Sequence, residues 1–457
     1  MDQMTGEVKV PKRILNTLLS SLAAGVVPRV GAPYIAIGRG EEIGSLLDNL
    51  DAVAEGGSAC RFLIGRYGSG KSFLIQLVRG YALDRGFITA DADLSPERRL
   101  SGGSGAGVAT YRELMSNLAT KACPDGGAIQ TVLSRHLTTL KNELVSEGIL
   151  PDDPGFDVEL KKRAYLSLSG LEDSAHGFDF ARVLGEYYAA SVSDNTERKA
   201  ACVRYLRGEF ANRTEAKAAL GFSVSAIIDD DNWYDFIKLF ANLSTTLGYA
   251  GLVLFIDECV NLYKIPNRIS REANYEKLLA IFNDTLQGKA KSLAVIFGGT
   301  PQFLEDTRRG LFSYDALKSR LADSKYTELG YRNLSSPVIR LRRLSDNELY
   351  ALVKRLTKLF AQREGMAEPP ISDADAERFI TAALGRAGAE EMITPREIIR
   401  DYLTLLTIMR DNPTVGFDEL MRRASLGTDN GIDEEKSSII QEKAEQKPKI
   451  GLFDIEI

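Results

Sequence analysis

The sequence has few of the side chains that build metal sites and disulfide frameworks. Two histidines and four cysteines occur among its 457 residues, and the cysteines form no Cys-x-x-Cys pair. This shortage excludes a structural zinc site, because such sites use clustered Cys and His ligands. Unpaired cysteines in apolar segments behave as small hydrophobic residues, so a reducing cytoplasm is the expected compartment.

Long apolar runs and an excess of basic residues are missing as well. No run approaches the roughly 20 apolar residues of a membrane-spanning helix, so no membrane partner is expected. The net charge of −6 excludes a protein that is basic throughout, whereas a local basic surface is compatible with it. The chain length predicts about two or three domains.

A glycine-rich stretch is the strongest motif in the chain. Residues 65–72 read Gly-Arg-Tyr-Gly-Ser-Gly-Lys-Ser and fit the phosphate-binding pattern G-x-x-x-x-G-K-[S/T]. An apolar segment typical of a buried strand precedes them, and a segment with helical spacing follows. The residues expected to bind nucleotide are Gly65, Tyr67, Gly68, Ser69, Gly70, Lys71 and Ser72. We expect Lys71 to bind the β- and γ-phosphates of ATP and Ser72 to bind Mg²⁺.

A second apolar segment ends in two carboxylates. Residues 251–258 read Gly-Leu-Val-Leu-Phe-Ile-Asp-Glu, which predicts a buried parallel strand. The strand would deliver Asp257 to its carboxyl edge, where it can orient Mg²⁺. Glu258 would then polarise the attacking water as a general base. Together with the glycine-rich stretch, this segment predicts an ATPase.

The rest of the pattern predicts an α/β fold with a parallel sheet and several helical regions. Further strands are expected at residues 86–94, 292–300 and 337–341, and a helix start with a capping box is expected at Ser345 and Glu348. The stripe of apolar residues at 14–22 predicts either a packing helix or a subunit contact. The expected divisions are an N-terminal helical segment (1–33), a nucleotide domain (34–340) with a helical insertion (108–247), a helical lid (341–425), and a disordered tail with an apolar end (426–457).

A loop with a basic start is predicted after the second strand. Arg98 and Arg99 precede the glycine-rich residues 101–107. Glycines allow close approach of a backbone, and arginines contact phosphates without reading bases, so this loop is a candidate DNA contact. The alternative is a solvated surface connection.

The order of these motifs resembles the AAA+ ATPases, in particular the branch of initiators and helicase loaders. The segment Gly-Arg-Gly-Glu-Glu-Ile at 38–43 adds to that resemblance, because it lies just upstream of the phosphate-binding stretch. The resemblance implies that Ile37 and Arg39 flank the adenine. It also implies that Thr300, at the end of the 292–300 strand, is a polar sensor of the γ-phosphate.

Two arginines receive a role from the same resemblance. The segment Ala-Leu-Lys-Ser-Arg-Leu at 316–321 is similar to the box that carries the arginine finger, so Arg320 would reach the nucleotide of a neighbouring subunit in a homo-oligomer. Arg308 and Arg309 are alternatives for that role. Arg396, in Thr-Pro-Arg-Glu at 394–397, matches the second sensor at the head of a lid helix.

A narrower resemblance covers residues 61–99 and 394–401. These segments are similar to the ATP-binding proteins of bacterial BREX phage-defence loci, the BrxD-like family. That resemblance implies an ATPase that binds or remodels DNA and loads or regulates a partner helicase. The alternatives are an ATP-dependent signalling or assembly switch without direct DNA action, and a non-catalytic adaptor. The intact Lys71, Asp257 and Glu258 argue against the adaptor.

Overall fold

Five parallel strands form one sheet in a computed structural model that describes residues 9–426, apart from residues 104, 173, 330 and 386–393. The strands are β1 (Ser58–Ile64), β2 (Ile88–Asp93), β3 (Leu252–Asp257), β4 (Leu293–Gly299) and β5 (Val338–Arg340). Their order in the sheet is β2-β3-β4-β1-β5. The predicted α/β class with a parallel sheet is thus confirmed. The predicted tail, residues 426–457, lies almost entirely outside the described residues.

The helices follow the pattern of apolar residues closely. In chain order the α-helices are α1 (Lys12–Ala23), α2 (Gly40–Ala54), α3 (Lys71–Asp84), α4 (Ala106–Ser116), α5 (Ile129–Ser146), α6 (Phe156–Leu168), α7 (Gly177–Val192), α8 (Thr196–Leu206), α9 (Arg213–Leu220), α10 (Trp233–Thr246), α11 (Val260–Tyr263), α12 (Arg268–Leu286), α13 (Pro301–Glu305), α14 (Asp315–Leu321), α15 (Lys325–Glu328), α16 (Asp346–Glu364), α17 (Asp373–Leu384), α18 (Pro395–Asp411) and α19 (Phe417–Leu426).

The chain divides into two units. The larger unit is residues 27–344, and it contains the whole sheet. The smaller unit combines the described parts of residues 1–26 and 345–457. The N-terminal helix α1 therefore belongs with the C-terminal helices, and it packs against α16 and α18.

Different helices cover the two faces of the sheet. Ala59 and Leu63 of β1 point to the face that packs against α2 and α3. Phe62, between them in sequence, points to the opposite face and stacks on Phe297 of β4 with ring centroids 5.2 Å apart. Both faces of each central strand are buried, which is why these segments read as continuous apolar runs.

The helices between β2 and β3 share their core with the sheet. The apolar residues of α4 to α10 form one buried cluster with β1 to β4 and α12. Trp233 at the start of α10 is fully buried, and its Nε1–H donates to the carbonyl oxygen of Leu100 at 3.0 Å. The helical character predicted for this region is confirmed, and its packing makes it continuous with one side of the sheet.

Helix α4 begins at Ala106, two residues before the predicted start of the helical insertion at residue 108. The carboxylate of Asp230 accepts hydrogen bonds from the backbone N–H groups of Gly105 and Val108, both at 2.8 Å. Such N–H groups at a helix start have no partner inside the helix. The cap comes from a residue 125 positions further along the chain than Gly105, so no local pattern reveals it.

The smaller unit is built from helices with strong start signals. The predicted capping box of Ser345 and Glu348 is present at the start of α16. Thr394 and Glu397 form a second capping box at the start of α18. Helix α1 buries Leu15, Leu18, Leu19 and Leu22 of the predicted stripe, whereas its first member, Ile14, is half-buried.

None of the helices in the described parts of the chain combines the length and the apolar character needed to cross a membrane.

Candidate functional site

The carboxyl ends of β1, β3 and β4 lie side by side at one edge of the sheet. Strand β4 lies between β1 and β3, although it comes last of the three in the chain. Strand β2 pairs with β3, so that Asp93 stands directly beside Asp257. In parallel sheets this edge collects the loops and helix N-termini that bind ligands. The sheet therefore brings the glycine-rich loop and the Asp257–Glu258 pair together.

The phosphate loop, residues 65–70, turns between β1 and α3. Its backbone has positive φ angles at Gly68 (73°) and Gly70 (95°), which glycine adopts without steric cost. Lys71 is the first residue of α3, and its Nζ donates to the carbonyl oxygens of Gly65 at 2.9 Å and Arg66 at 3.1 Å. The ammonium is thus held by the loop at the N-terminus of a helix, where anions are favoured.

One hydrogen bond joins the helix after the loop to β3. Ser72 Oγ donates to Asp257 Oδ2 at 2.6 Å, and Asp257 Oδ1 accepts from the backbone N–H of Glu258 at 2.8 Å. Asp257 is only 8% exposed, so both of its oxygens depend on these partners. A hydroxyl beside a carboxylate is a pair of oxygen ligands of the kind that Mg²⁺ prefers.

Glu258 and Asp93 complete an acidic edge beside Asp257. Glu258 has a φ angle of 56°, a left-handed conformation that costs energy for any residue other than glycine and is often found at functional sites. Partial desolvation at the strand end raises the pKa of Asp93, although its side chain is exposed, and the nearby carboxylates of Asp257 and Glu258 raise it further. The strand ends therefore carry negative potential that suits a cation, while the loop N–H groups suit phosphate.

The end of β4 fits closely against both neighbours. The backbone N–H of Gly65 donates to the Gly299 carbonyl at 3.1 Å, and that of Cys259 donates to the Gly298 carbonyl at 3.0 Å. Thr300 follows and is 6% exposed. Its Oγ1 accepts from an N–H of α13 at 3.3 Å, so the predicted sensor side chain is also the N-cap of a helix.

Arg39 is buried against the phosphate loop. Its guanidinium donates to the carbonyl oxygens of Ser69 at 3.0 Å and Arg342 at 2.8 Å, and Glu42 lies 3.6 Å away. Both terminal nitrogens therefore point at protein carbonyl groups, and the position of Arg39 beside the adenine stays a prediction. Ile37, the other residue expected there, is half-buried.

The two arginines with expected sensor or finger roles are both exposed. Arg320 lies on α14, where it donates to Asn283 Oδ1 at 3.2 Å and to the Ala316 carbonyl at 2.7 Å. Its hydrogen bonds therefore stay on its own helix and α12, away from the phosphate loop. Arg396 is the second residue of α18 in the smaller unit.

The loop after β2 is fixed by side chains from distant segments. The N–H groups of Leu100 and Ser101 donate to Asn274 Oδ1 at 2.9 and 3.0 Å. Those at the start of α4 donate to Asp230, as described above, and Arg99 is half-buried. These backbone donors already have protein partners, and a phosphate approaching the start of α4 would meet the Asp230 carboxylate.

Arg98, from the same loop, lines an open cleft of about 450 Å³ with Arg112 of α4 and Arg207. Two carboxylates share the cleft: Glu113 lies 3.3 Å from Arg98, and Glu209 lies 3.9 Å from Arg207. Three guanidinium groups therefore face two carboxylates, which leaves the cleft with a local excess of positive charge. We call it the arginine cleft.

The loop and the acidic edge together fit a nucleoside triphosphate with Mg²⁺. Ser69 Oγ is buried and has no hydrogen-bond partner among the described residues, which leaves a donor within the phosphate loop. Within the same residues no group of three or more His, Cys, Asp or Glu side chains is arranged to hold a metal. Mg²⁺ commonly takes only one or two protein ligands beside substrate phosphates, so Ser72 and Asp257 are a sufficient set.

Two residues of this site were missed by the sequence patterns. Asp93 ends β2 as Asp257 ends β3, so an acidic residue at the end of a predicted strand was the available signal. Gly298 sits beside Asp257, and a Cβ atom there would overlap Asp257 Oδ1 and lie 2.9 Å from its Cγ. In the sequence, the pair Gly298-Gly299 near the end of the 292–300 strand was the available sign that a neighbouring group approaches closely there.

A family model described as BREX system ATP-binding protein BrxC/D matches residues 10–425. The match spans the phosphate loop, the acidic edge and the helices that follow Ser345. No curated protein matches the chain. The resemblance found in residues 61–99 and 394–401 is thereby confirmed.

Substitution of Gly298 tests how closely β4 must approach Asp257. The added methyl group in Gly298→Ala should displace the carboxylate, because overpacking of this kind costs about 1–3 kcal/mol. We expect ATP affinity in the presence of Mg²⁺ to fall about 10-fold, with a smaller loss when Mg²⁺ is omitted. A fluorescent ATP analogue titrated under both conditions measures this. Gly44→Ala on α2, where a Cβ meets no atom within 4 Å, should bind as the wild type does. Equal affinities for all three proteins would contradict the assignment.

Proposed function

The chain belongs to the BREX system ATP-binding protein BrxC/D family, and from this premise we propose that it hydrolyses the ATP it binds, as an AAA+ ATPase of phage defence. Residues 34–340 would form the nucleotide domain, with residues 108–247 inserted, and residues 341–425 would form a lid. The observation that carries the proposal is the 2.6 Å hydrogen bond between Ser72 and Asp257. It joins the end of the phosphate loop to the strand whose next residue is Glu258.

The residues around this bond divide the chemistry between them. Lys71 would turn from the loop carbonyls to the β- and γ-phosphates, and the loop N–H groups would bind their oxygens. Ser72 and Asp257 would hold Mg²⁺, whose charge stabilises the charge on the transferring phosphoryl group. Glu258, held beyond the strand end by its left-handed backbone, would orient and deprotonate the attacking water.

Two substitutions separate binding from hydrolysis. Lys71→Ala should abolish detectable binding of a fluorescent ATP analogue, because the ammonium expected on the β- and γ-phosphates is lost. Glu258→Gln should bind the analogue normally and hydrolyse ATP with a loss on the order of 10²-fold or more, because an amide cannot accept the proton. Phosphate release measures turnover. Glu276→Gln, an exposed position on α12, is the matched control and should keep wild-type turnover. Normal turnover in Glu258→Gln would move the base elsewhere.

We further propose that the active form is a homo-oligomer in which Arg320 acts on the nucleotide of a neighbouring subunit. The exposure of Arg320 and its lack of a hydrogen bond to its own phosphate loop support this, because a guanidinium stabilises transition-state charge only from close range. Thr300 and Arg396 would sense the γ-phosphate from the sheet and from the lid.

Mixing of two inactive variants tests the action of Arg320 across subunits. Arg320→Ala and Glu258→Gln should each be nearly inactive alone, whereas a mixture should recover part of the activity, because some interfaces then contain both intact residues. Phosphate release at a fixed total concentration measures the recovery, and light scattering confirms assembly of each variant. Parallel mixtures with Arg308→Ala and Arg309→Ala test the two rival positions. A mixture as inactive as its components, despite normal assembly, would rule out Arg320 as the finger.

DNA is the proposed target of the ATP cycle, with a partner helicase loaded or regulated on it. The arginine cleft supports DNA contact more strongly than the glycine-rich loop does, because the N–H groups of Leu100, Ser101, Gly105 and Val108 already have protein partners. Arg98 belongs to both surfaces, and Arg99 remains a candidate contact beside it. The exposed guanidinium of Arg112 would add a phosphate contact from α4.

Charge reversal in the arginine cleft tests this second function. The double variant Arg98→Glu with Arg112→Glu should weaken DNA binding at low salt and reduce the slope of log K against log salt by about 1–2, because about 0.9 counterions are released per phosphate contact. Fluorescence anisotropy with single- and double-stranded oligonucleotides at several salt concentrations measures both. Lys141→Glu with Lys289→Glu carries the same charge change at exposed positions outside the cleft. Equal losses in both double variants would remove the cleft as a specific contact.

The alternative function is an ATP-dependent switch that controls assembly or signalling. Failure of the wild type to bind either form of DNA, with ATP binding intact, would favour that alternative. In both cases we place the protein in the cytoplasm, because all four cysteines are free and three of them are buried.

A further inference from the structure

Arg39 connects the phosphate loop to the last residues of the larger unit. One terminal nitrogen of its guanidinium donates to the Ser69 carbonyl at 3.0 Å, and the other donates to the Arg342 carbonyl at 2.8 Å. Ser69 lies inside the phosphate loop, whereas Arg342 follows β5. One side chain, 5% exposed, therefore bridges two segments that are far apart in the sequence.

The segment that receives this bridge, residues 341–344, is also joined to the loop by other contacts. The N–H of Leu341 donates to the carbonyl of Ile64, the residue just before the loop, at 2.8 Å. Gly65 is so close to Leu341 that a Cβ atom on the glycine would lie 3.3 Å from the leucine Cβ. Arg342 in turn donates to the Gly38 carbonyl at 3.4 Å. The loop and residues 341–344 thus form one contiguous set of contacts.

The charge of Arg39 is balanced inside the protein. Glu42 is 1% exposed and lies 3.6 Å from Arg39, and its carboxylate is also 2.9 Å from the guanidinium of Arg332. A buried charge is stable only when it is paired and hydrogen-bonded. A guanidinium suits this position because its planar fork presents several donors at fixed angles, which a lysine ammonium cannot reproduce.

We propose that Arg39 is a positioning residue that couples the phosphate loop to residues 341–344. The inference rests on the proposed nucleotide site and adds a path by which nucleotide binding there displaces residues 341–344. The Ser69 carbonyl belongs to the loop that closes around the phosphates, so any reorientation of that peptide on binding displaces its donor, Arg39. The same guanidinium then moves the Arg342 carbonyl. Residue 344 is the last of the larger unit and Ser345 the first of the smaller, so the displacement reaches the point where the chain passes between them.

The variant Arg39→Lys tests the coupling because it keeps the charge and loses the fork. One ammonium cannot keep both carbonyl contacts in the same geometry, and loss of one charged hydrogen bond corresponds to about a 10-fold weaker binding of an ATP analogue. Amide hydrogen exchange is then measured with and without saturating non-hydrolysable ATP analogue and Mg²⁺. In the wild type, exchange in peptides covering residues 341–344 should slow on nucleotide addition. In saturated Arg39→Lys, the loop peptides should still slow, whereas residues 341–344 should no longer respond.

Arg61→Lys is the matched control. Arg61 is 9% exposed and bridges Asn49 Oδ1, at 2.6 Å, and the Ser336 carbonyl, so it has the same kind of buried fork without contact to the phosphate loop. Its replacement should cost similar thermal stability and leave both nucleotide affinity and the response of residues 341–344 at wild-type values. A structural role for Arg39 alone would make the two variants behave alike.

The outcomes separate cleanly. A normal response in saturated Arg39→Lys, the same loss in Arg61→Lys, or no response in the wild type would each overturn the coupling. If Arg39→Lys does not fold, Glu42→Gln takes its place, because this variant keeps the Arg39 guanidinium and removes the carboxylate charge that orients it. An undiminished response of residues 341–344 in Glu42→Gln would overturn the proposal as well. Failure of the wild type to bind the ATP analogue would instead overturn the proposed nucleotide site. The titration that measures the affinity of the wild type for the analogue reveals that failure before any exchange experiment.

Discussion

The hydrogen bond from Ser72 to Asp257 is the contact on which the rest of the site depends, and it joins positions 185 residues apart. It forms because β4 lies between β1 and β3 and holds both in register. A slip of β3 by one residue would move Asp257 by about 3.3 Å, which is out of hydrogen-bond reach of Ser72. The burial of both sheet faces opposes such a slip, because a shift of one residue would exchange the side chains of β3 between the two packed faces. The hydrophobic core thereby sets the geometry of the polar site.

Close approach at the strand ends has a second requirement, which is the absence of side chains at particular glycines. Gly298 leaves room for the Asp257 carboxylate, and Gly65 leaves room for Ser69 Oγ and for Leu341. A methyl group at either position would push apart groups that must stay within hydrogen-bond distance. The positions of the acidic edge and the phosphate loop therefore depend on the absence of side chains at Gly65 and Gly298 as well as on contacts.

The region between β2 and β3 packs on the sheet and helps to position the loop after β2. Its apolar residues share one core with the sheet, and Asp230 fixes the start of α4 beside the loop that carries Arg98. The same carboxylate occupies backbone donors that a glycine-rich loop would otherwise offer to phosphate. Exposed positive charge is left on side chains, in the arginine cleft. This division of backbone and side-chain donors is the reason why the proposed DNA contact falls on the arginine cleft.

Local patterns in the sequence determined the elements and the chemical identity of the main site. The glycine spacing, the apolar runs ending in Asp257 and Glu258, and the capping box at Ser345 are all readable within a few residues, because turns, strands and helix starts depend on near neighbours. Only the tertiary structure decided what Arg39, Asp230 and Gly298 do. Each acts on a partner in a distant segment: Arg39 on Arg342, Asp230 on Gly105, and Gly298 on Asp257. The sheet order and the packing of the helices bring these partners together. Periodicity in the sequence describes only near neighbours, so it does not show which distant segments meet.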